Sequence, residues 1–397
     1  MDDFREYVSR FLFENDNAEE YSSVETFQIH REMIRDLYCS RIENFEQYIS
    51  RFIFEDDDEE FTYAQTFRRP RVIRERVNYL EIYDDVDFKK RFRLSKENVC
   101  NLLSVIGQKL LNRTERNNAI PPIIQLLLML RFAATGSFLM TVADFCGISV
   151  SSAQMIVHKV TAAIAALHTK FIKFPNKSND ILKSKAKNFN LSGFPRVIGA
   201  IDCIHIRIKS YGGEDGEIYR NRKGFFSINV QAIVDSSLKI LDLVAHWPGS
   251  THDATIFNNS FIKMRLENGE FGNGVLLGDS GYPSLPFLLT PLQNPQTAAE
   301  TLYNEAQIRT RSMVERAFGI LGKQFPVLTL GSRFRTPENT LPLITACVVL
   351  FNITRSNEED VKDINVDAYN NIERELHQNL TENEREYFIH NYFQRLL

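Results

Sequence analysis

Near Phe194 the apolar residues of this chain change their spacing, and no other feature constrains its fold as strongly. Upstream, over residues 95–170, they recur at helical intervals. Ser95, with Asn98, opens one run, and Pro121-Pro122 starts a second through Ile123–Arg131. Met140 to Phe145 forms a third before Gly147. Ser149, a natural N-cap, opens a fourth through Ala153, Ile156, Val157 and Val160. Downstream, Val197–Ile208, Phe225–Val234 and Lys239–His246 read as strands divided by turn-forming stretches. A helix from Ala254 to Leu266, a short buried strand Val275–Gly278 and a helix of about Tyr303–Leu321 complete the pattern.

Three strands, helix, strand, helix is the order of an RNase H-like α/β fold, in which an antiparallel meander feeds a mixed sheet. The expected architecture is therefore α/β: an RNase H-like domain over residues 194–355, preceded by an all-α domain over 88–175. In that helical domain a short helix, a glycine turn and a Ser-capped helix outline a helix-turn-helix. Its second helix leads with Val150, Ser151, Ser152, Ala153, Gln154 and Met155. Only Gln154 has the fork to pair with an adenine edge, so the unit reads as structural rather than base-reading.

Charge divides the chain in the same way. Residues 1–61 hold 18 acids against 6 Lys/Arg, and residues 356–397 hold 10 against 4, while the middle carries 23 acids against 37 Lys/Arg. An acidic N-terminal arm (1–87, with a basic linker) and an acidic helical tail (356–397) thus flank a basic body suited to a phosphate-rich partner. Within the arm, Phe4–Glu14 recurs as Phe45–Glu55, each copy running into acids. Two copies are too few for a solenoid and read as amphipathic segments of a weakly ordered arm. Arg68-Arg69-Pro70-Arg71 and Lys89-Lys90-Arg91-Phe92-Arg93 suit phosphate contact or nuclear import.

The 43% hydrophobic and 25% charged composition is that of an ordinary globular protein. No apolar run reaches membrane-spanning length and no secretory signal is visible, so no membrane association is expected. Five cysteines without a CxxC pair argue against a disulfide framework or a zinc finger.

Three carboxylates stand where chemistry would need them. Asp202 interrupts an apolar strand, where an unpaired carboxylate is costly unless it is paired or holds a metal. Asp279 ends the strand Val275–Gly278, and strand carboxyl ends are where ligands bind in α/β sheets. Glu315 shares a helix face with Arg311, four residues earlier. Three hard oxygen ligands suit Mg²⁺ or Mn²⁺ rather than zinc. Two such ions about 4 Å apart would activate water and stabilise the leaving 3′-oxygen of a phosphodiester. Arg220, Arg222, Lys223, Arg309, Arg311 and Lys323 would steer the nucleic-acid backbone. Asp253 reads as the N-cap of the helix at Ala254, and Asp235 as an Asx turn.

Five motifs, in order, carry a family resemblance. They are Phe194-Pro195…Gly199-Ala200-Ile201-Asp202-Cys203-Ile204-His205; Asn221-Arg222-Lys223-Gly224-Phe225…Asn229-Val230-Gln231; Trp247-Pro248-Gly249-Ser250-Thr251-His252-Asp253; Gly278-Asp279-Ser280-Gly281-Tyr282-Pro283; and Asn304…Arg309-Thr310-Arg311…Val314-Glu315-Arg316-Ala317-Phe318-Gly319. Residues 88–351 resemble the PIF/Harbinger transposases and the nucleases derived from them. The resemblance implies an RNase H-like DDE nuclease using divalent metal, with Asp202, Asp279 and Glu315 as its acids. It further implies DNA as substrate, a separate Myb/SANT-like DNA-binding partner, and a nuclear location with a cytoplasmic pool. Homo-oligomerisation is compatible with this reading. Arg131–Gly136 and Val142–Ser149 match the family's helix-turn-helix.

The chain departs from the family at Cys203-Ile204, where Gly-Thr is common, at Gln307, where His is frequent, and at Gly322-Lys323-Gln324. Its recognition-helix Arg is also missing. A competing expectation is therefore a domesticated, catalytically silent DNA or chromatin scaffold; a third is an RNA-directed nuclease.

Overall fold

The computed structural model describes residues 76–112, 119–210, 212, 214–332, 334, 337–356, 366–376 and 383–397. The chain divides into two units, Met1–Pro70 and Arg71–Leu397, and all the described residues belong to the second. The repeat of the acidic arm and the basic stretch at 68–71 lie outside the described residues.

Helices come first: α1 (Tyr79–Ile82), α2 (Asp85–Phe92), α3 (Lys96–Leu110), α4 (Pro122–Thr135), α5 (Leu139–Cys146), α6 (Val150–Ala165), α7 (His168–Phe171) and α8 (Ser178–Ser192). Their ends follow local chemistry. Ser95 Oγ accepts the Asn98 amide at 3.2 Å to open α3, and Ser149 Oγ accepts the Ser152 amide at 3.2 Å to open α6. Gly147 closes α5 at φ 64°, a left-handed conformation that glycine adopts without a Cβ penalty. Helices α5 and α6 then cross at 99°, the outline of a helix-turn-helix.

The sheet follows as β1 (Val197–Arg207), β2 (Ser227–Val234) and β3 (Ile240–Pro248), with a short 3-10 turn, Glu214–Tyr219, between the first two. Next come α9 (Asp253–Asn258), α10 (Phe261–Glu267), β4 (Val275–Leu277), β5 (Leu288–Leu289), α11 (Ala298–Gln324), α12 (Val327–Leu330) and α13 (Pro337–Ser356). Helices α14 (Val366–Glu375) and α15 (Glu384–Asn391) and a 3-10 turn, Phe393–Leu396, end the chain. Strand order is β3-β2-β1-β4-β5, with β1–β2–β3 antiparallel and β1, β4 and β5 parallel. This mixed α/β sheet is the one expected of an RNase H-like fold.

Two local expectations are corrected. The helix expected from Ala254 to Leu266 is broken, because Ser260 accepts the Lys263 amide and caps a second helix. The short strand β5 was not anticipated; two residues leave no periodic signal. Asp235 makes the Asx turn expected of it, its Oδ1 accepting the Ser237 and Lys239 amides at 2.9 Å each.

Apolar residues of the N-terminal helices, α11, α13 and one face of the sheet form one buried cluster, including Leu128, Val157, Ala200, Val230, Val314 and Phe351. The other face, with Ile201, Ile233 and Leu276, packs against Phe257 and Ile262. The C-terminal segment joins the first cluster: Phe194 lies edge-on to Phe388 and Phe393, all three buried. Among the described residues, no single helix is long and apolar enough to cross a membrane.

Candidate active site

The parallel pairing of β1 with β4 sets the register of the site. Its last rung pairs Ala200 with Leu277, so Asp202 and Asp279 each lie two residues beyond it on neighbouring strands that run the same way. Two residues are one pleat repeat, which keeps Asp202 on the α11 side with Ala200. Asp279 is held where the chain turns: its Oδ1 accepts the Gly281 amide at 2.9 Å.

Helix α11 brings the third acid over the same edge. Thr297 and Glu300 form a capping box that starts the helix. Asn304 grips the Leu292 backbone, accepting its amide at 2.8 Å and donating to its carbonyl at 2.9 Å. One turn on, buried Gln307 donates to the Gly278 carbonyl at 2.7 Å. These two residues set the rotation of the helix, and the next turns of that face present Arg311 and Glu315.

Arg311 stands between two of the acids. Its Nη1 lies 3.4 Å from Asp202 Oδ2 and its Nη2 2.9 Å from Glu315 Oε1. Asp202 and Arg311 are 18% and 17% exposed, Glu315 56%, so the pair closest to the sheet is the least hydrated. Burial pushes the Asp202 carboxyl from its ordinary 3.8 up to about 6; the Cys203 amide opposes this, Asp279 adds to it, Arg311 opposes it, and Asp253 adds again. The Cys203 amide makes that contact at 2.8 Å, to Asp202 Oδ1.

Asp253 departs from its expected role. It is the first residue of α9, behind His252 at the N-cap position, and no side-chain cap is made there. Its carboxylate instead accepts from Asn229 Nδ2 at 3.0 Å, beside Asp202 and Cys203. Gln307 and Asp253 are thus the residues that sequence reasoning passed over. Gln307 was visible only as a departure from the family, and Asp253 only through its place in a motif.

The basic residues divide. Arg222 and Lys223 sit exposed on the turn before β2, Arg222 hydrogen-bonded to His252 Nδ1, and both charges act with burial to lower the His205 pKa. Arg309 and Lys323 are exposed on α11. Arg311, expected to face nucleic acid, is engaged by carboxylates. Arg220 is paired with Glu217 at 2.7 Å. Residues of β1, α11 and α12 line a cleft of about 220 Å³, among them Ile204, Ile206, Phe225 and Phe318, with Arg207 over the Phe225 ring at 4.3 Å.

Among the described residues, no three His, Cys, Asp or Glu side chains stand close enough together to hold a metal ion. The donor set nevertheless fits a hard divalent cation. Carboxylate oxygens are the donors such a cation takes, and burial, the largest cause of its raised pKa, keeps Asp202 poorly hydrated, with Asp279 and Asp253 adding to the rise.

Residues 201–352 match the model of a family described as DDE superfamily endonuclease. HARBI1 of Homo sapiens, whose name calls it a candidate nuclease, is 36% identical over 262 residues, covering 66% of this chain and 75% of its own. From Arabidopsis thaliana, an ALP1-like protein is 27% identical over 301 residues, 70% of this chain and 73% of its own. A second, named an antagonist of like heterochromatin protein 1, is 23% identical over 291 residues, 68% and 73%. No solved structure matches the chain.

Proposed function

The chain belongs to the PIF/Harbinger family of DDE nucleases, and from that premise we propose that it is a divalent-metal-dependent nuclease acting on DNA. One observation carries the reading: Asp202 and Asp279 each lie two residues past the last rung of the parallel β1–β4 pairing, and Glu315 is joined to Asp202 through Arg311. Asp202, Asp279 and Glu315 would hold the metal, which when bound supplies Lewis-acid activation of water and stabilisation of the leaving 3′-oxygen. The protein's own part is positional. Gln307 and Asn304 orient the helix, Gly281 fixes the Asp279 carboxylate, and the sheet holds Asp202 in a poorly hydrated place where charge acts strongly. Arg222, Lys223, Arg309 and Lys323 are exposed cations for the sugar–phosphate backbone, and Arg311 becomes one only if it leaves its carboxylates.

The helix-turn-helix outline at α5–α6 is proposed as a docking or positioning unit, since its second helix opens without Arg. Sequence choice and nuclear entry are then left to a Myb/SANT-like partner. The test is cleavage of supercoiled plasmid and of a matched RNA in Mg²⁺ and in Mn²⁺, with Asp202→Asn as control. Metal-dependent nicking of DNA that Asp202→Asn abolishes supports the proposal; cleavage of RNA alone turns it to a ribonuclease.

A second reading is a silent chromatin scaffold. Arg311 already pairs with two of the acids, and one plant relative is named for antagonism of a heterochromatin protein. Binding of DNA without cleavage under either metal, with the partner present, decides for it.

A further inference from the structure

We propose that Arg311 is a built-in counter-ion of the acid centre, which releases Asp202 when a divalent cation enters and then takes a nucleic-acid phosphate; this rests on the nuclease reading above. Both ion pairs of the centre converge on this guanidinium, at 3.4 Å to Asp202 and 2.9 Å to Glu315. Arginine does not discharge by losing a proton, so it leaves two carboxylates only by moving its side chain. The helix carrying it cannot make that movement, because Asn304 and Gln307 tie α11 to the backbone at Leu292 and Gly278.

The two contacts are unequal. Charge-assisted N–H···O bonds run at about 2.7–2.9 Å, so the Glu315 contact is a full one and the Asp202 contact is loose. The arm is thus anchored on the exposed carboxylate and held lightly on the buried one. A swing away from Asp202 frees its oxygen while the planar fork turns toward solvent, where it matches phosphate geometry in two parallel bonds.

The test uses the full-length chain as wild type, Arg311→Met, Arg311→Gln and Asp202→Asn. Free Mn²⁺ is read by electron paramagnetic resonance during titration, and binding of a 30-base-pair duplex is measured in Ca²⁺ across a salt series. Removing the competing cation should tighten Mn²⁺ binding about fivefold, the scale of a partly exposed ion pair. The same variants should bind the duplex more weakly, with a salt slope smaller by about one. Arg311→Gln keeps hydrogen-bonding capacity without charge and must show the same order if Arg311→Met fails to fold. Unchanged or weaker Mn²⁺ binding in the folded variants, while wild type binds through Asp202, overturns the counter-ion role alone. Absence of Mn²⁺ binding in wild type and Asp202→Asn alike removes the metal reading and this proposal with it.

Discussion

Gln307 donates its side-chain amide to the carbonyl of Gly278 at 2.7 Å, tying the helix that carries Glu315 to the residue just before Asp279. The same amide reaches the Leu289 carbonyl at 3.4 Å, so one buried side chain spans the ends of β4 and β5. Two acids 36 positions apart in sequence are thereby held by a residue that is neither acidic nor basic.

Gln307→Ala should therefore lower stability by about 1–3 kcal/mol, the cost of leaving buried acceptors unpaired, read as a shift of the urea midpoint. Cleavage should fall further than stability does, because the rotation of α11 is lost with the bond. Gln307→His should cost less. The Oε1 of Gln307 has no partner, so only the donor needs replacing. Equal loss in both variants would show that the donor is not what matters.

Asp202 gives a stability dependence on pH of a definite sign. Its folded pKa is raised from 3.8 to about 6, so the folded state holds a proton that the unfolded state has already lost. Stability should consequently fall as pH rises from about 4 to about 6, by at most about 2 kcal/mol, and Asp202→Asn should remove that fall. Asp242, also raised to about 6 by burial with Arg265 opposing, titrates in the same window. Asp235 is raised by burial as well, and the lowered His205 acts with the opposite sign, so each substitution should remove only its own part of the slope. Melting in EDTA from pH 4 to 8 measures this, and an Asp202→Asn chain less stable than wild type at pH 7 would contradict it.

Arg196 and Glu384 form an ion pair at 2.9 Å with both side chains fully buried. Arg196→Met should destabilise by about 3–5 kcal/mol, since it removes one partner of a fully buried ion pair. Adding Glu384→Leu should recover much of the loss. A double-mutant cycle in urea measures the coupling, and strict additivity would mean that the two charges are independently solvated.

Glu315→Gln should reduce metal-dependent cleavage by about a hundredfold or more while leaving the fold intact, because that carboxylate is 56% exposed and packs little. Asp253→Asn should reduce it less, its carboxylate being hydrogen-bonded to Asn229 while adding negative charge beside Asp202. Full cleavage by Glu315→Gln would remove it from the acid centre.

What the sequence determined by itself is the order of elements and the positions where a charge is out of place. The apolar, β-rich run at Val197–Ile208 and the period of 3.6 around Ser149–Val160 are local properties, and the sheet and helices follow them closely. An aspartate inside an apolar strand is likewise conspicuous without any neighbour in view. The tertiary structure alone decided which charges meet. Arg311 reaches Asp202 across 109 positions because the β1–β4 rung at Ala200–Leu277 and the Gln307 anchor fix a strand register and a helix rotation together. Asp253 lies within the site rather than on a cap for the same reason: the loop after β3 is placed by Asn229 on β2. The burial of Phe388 and Phe393 at the acidic C-terminal end follows from Phe194, Tyr303 and Arg196 meeting there, a pocket that no stretch of sequence contains. Local periodicity sets what each segment is; packing of segments distant in sequence sets which electric field each carboxylate feels.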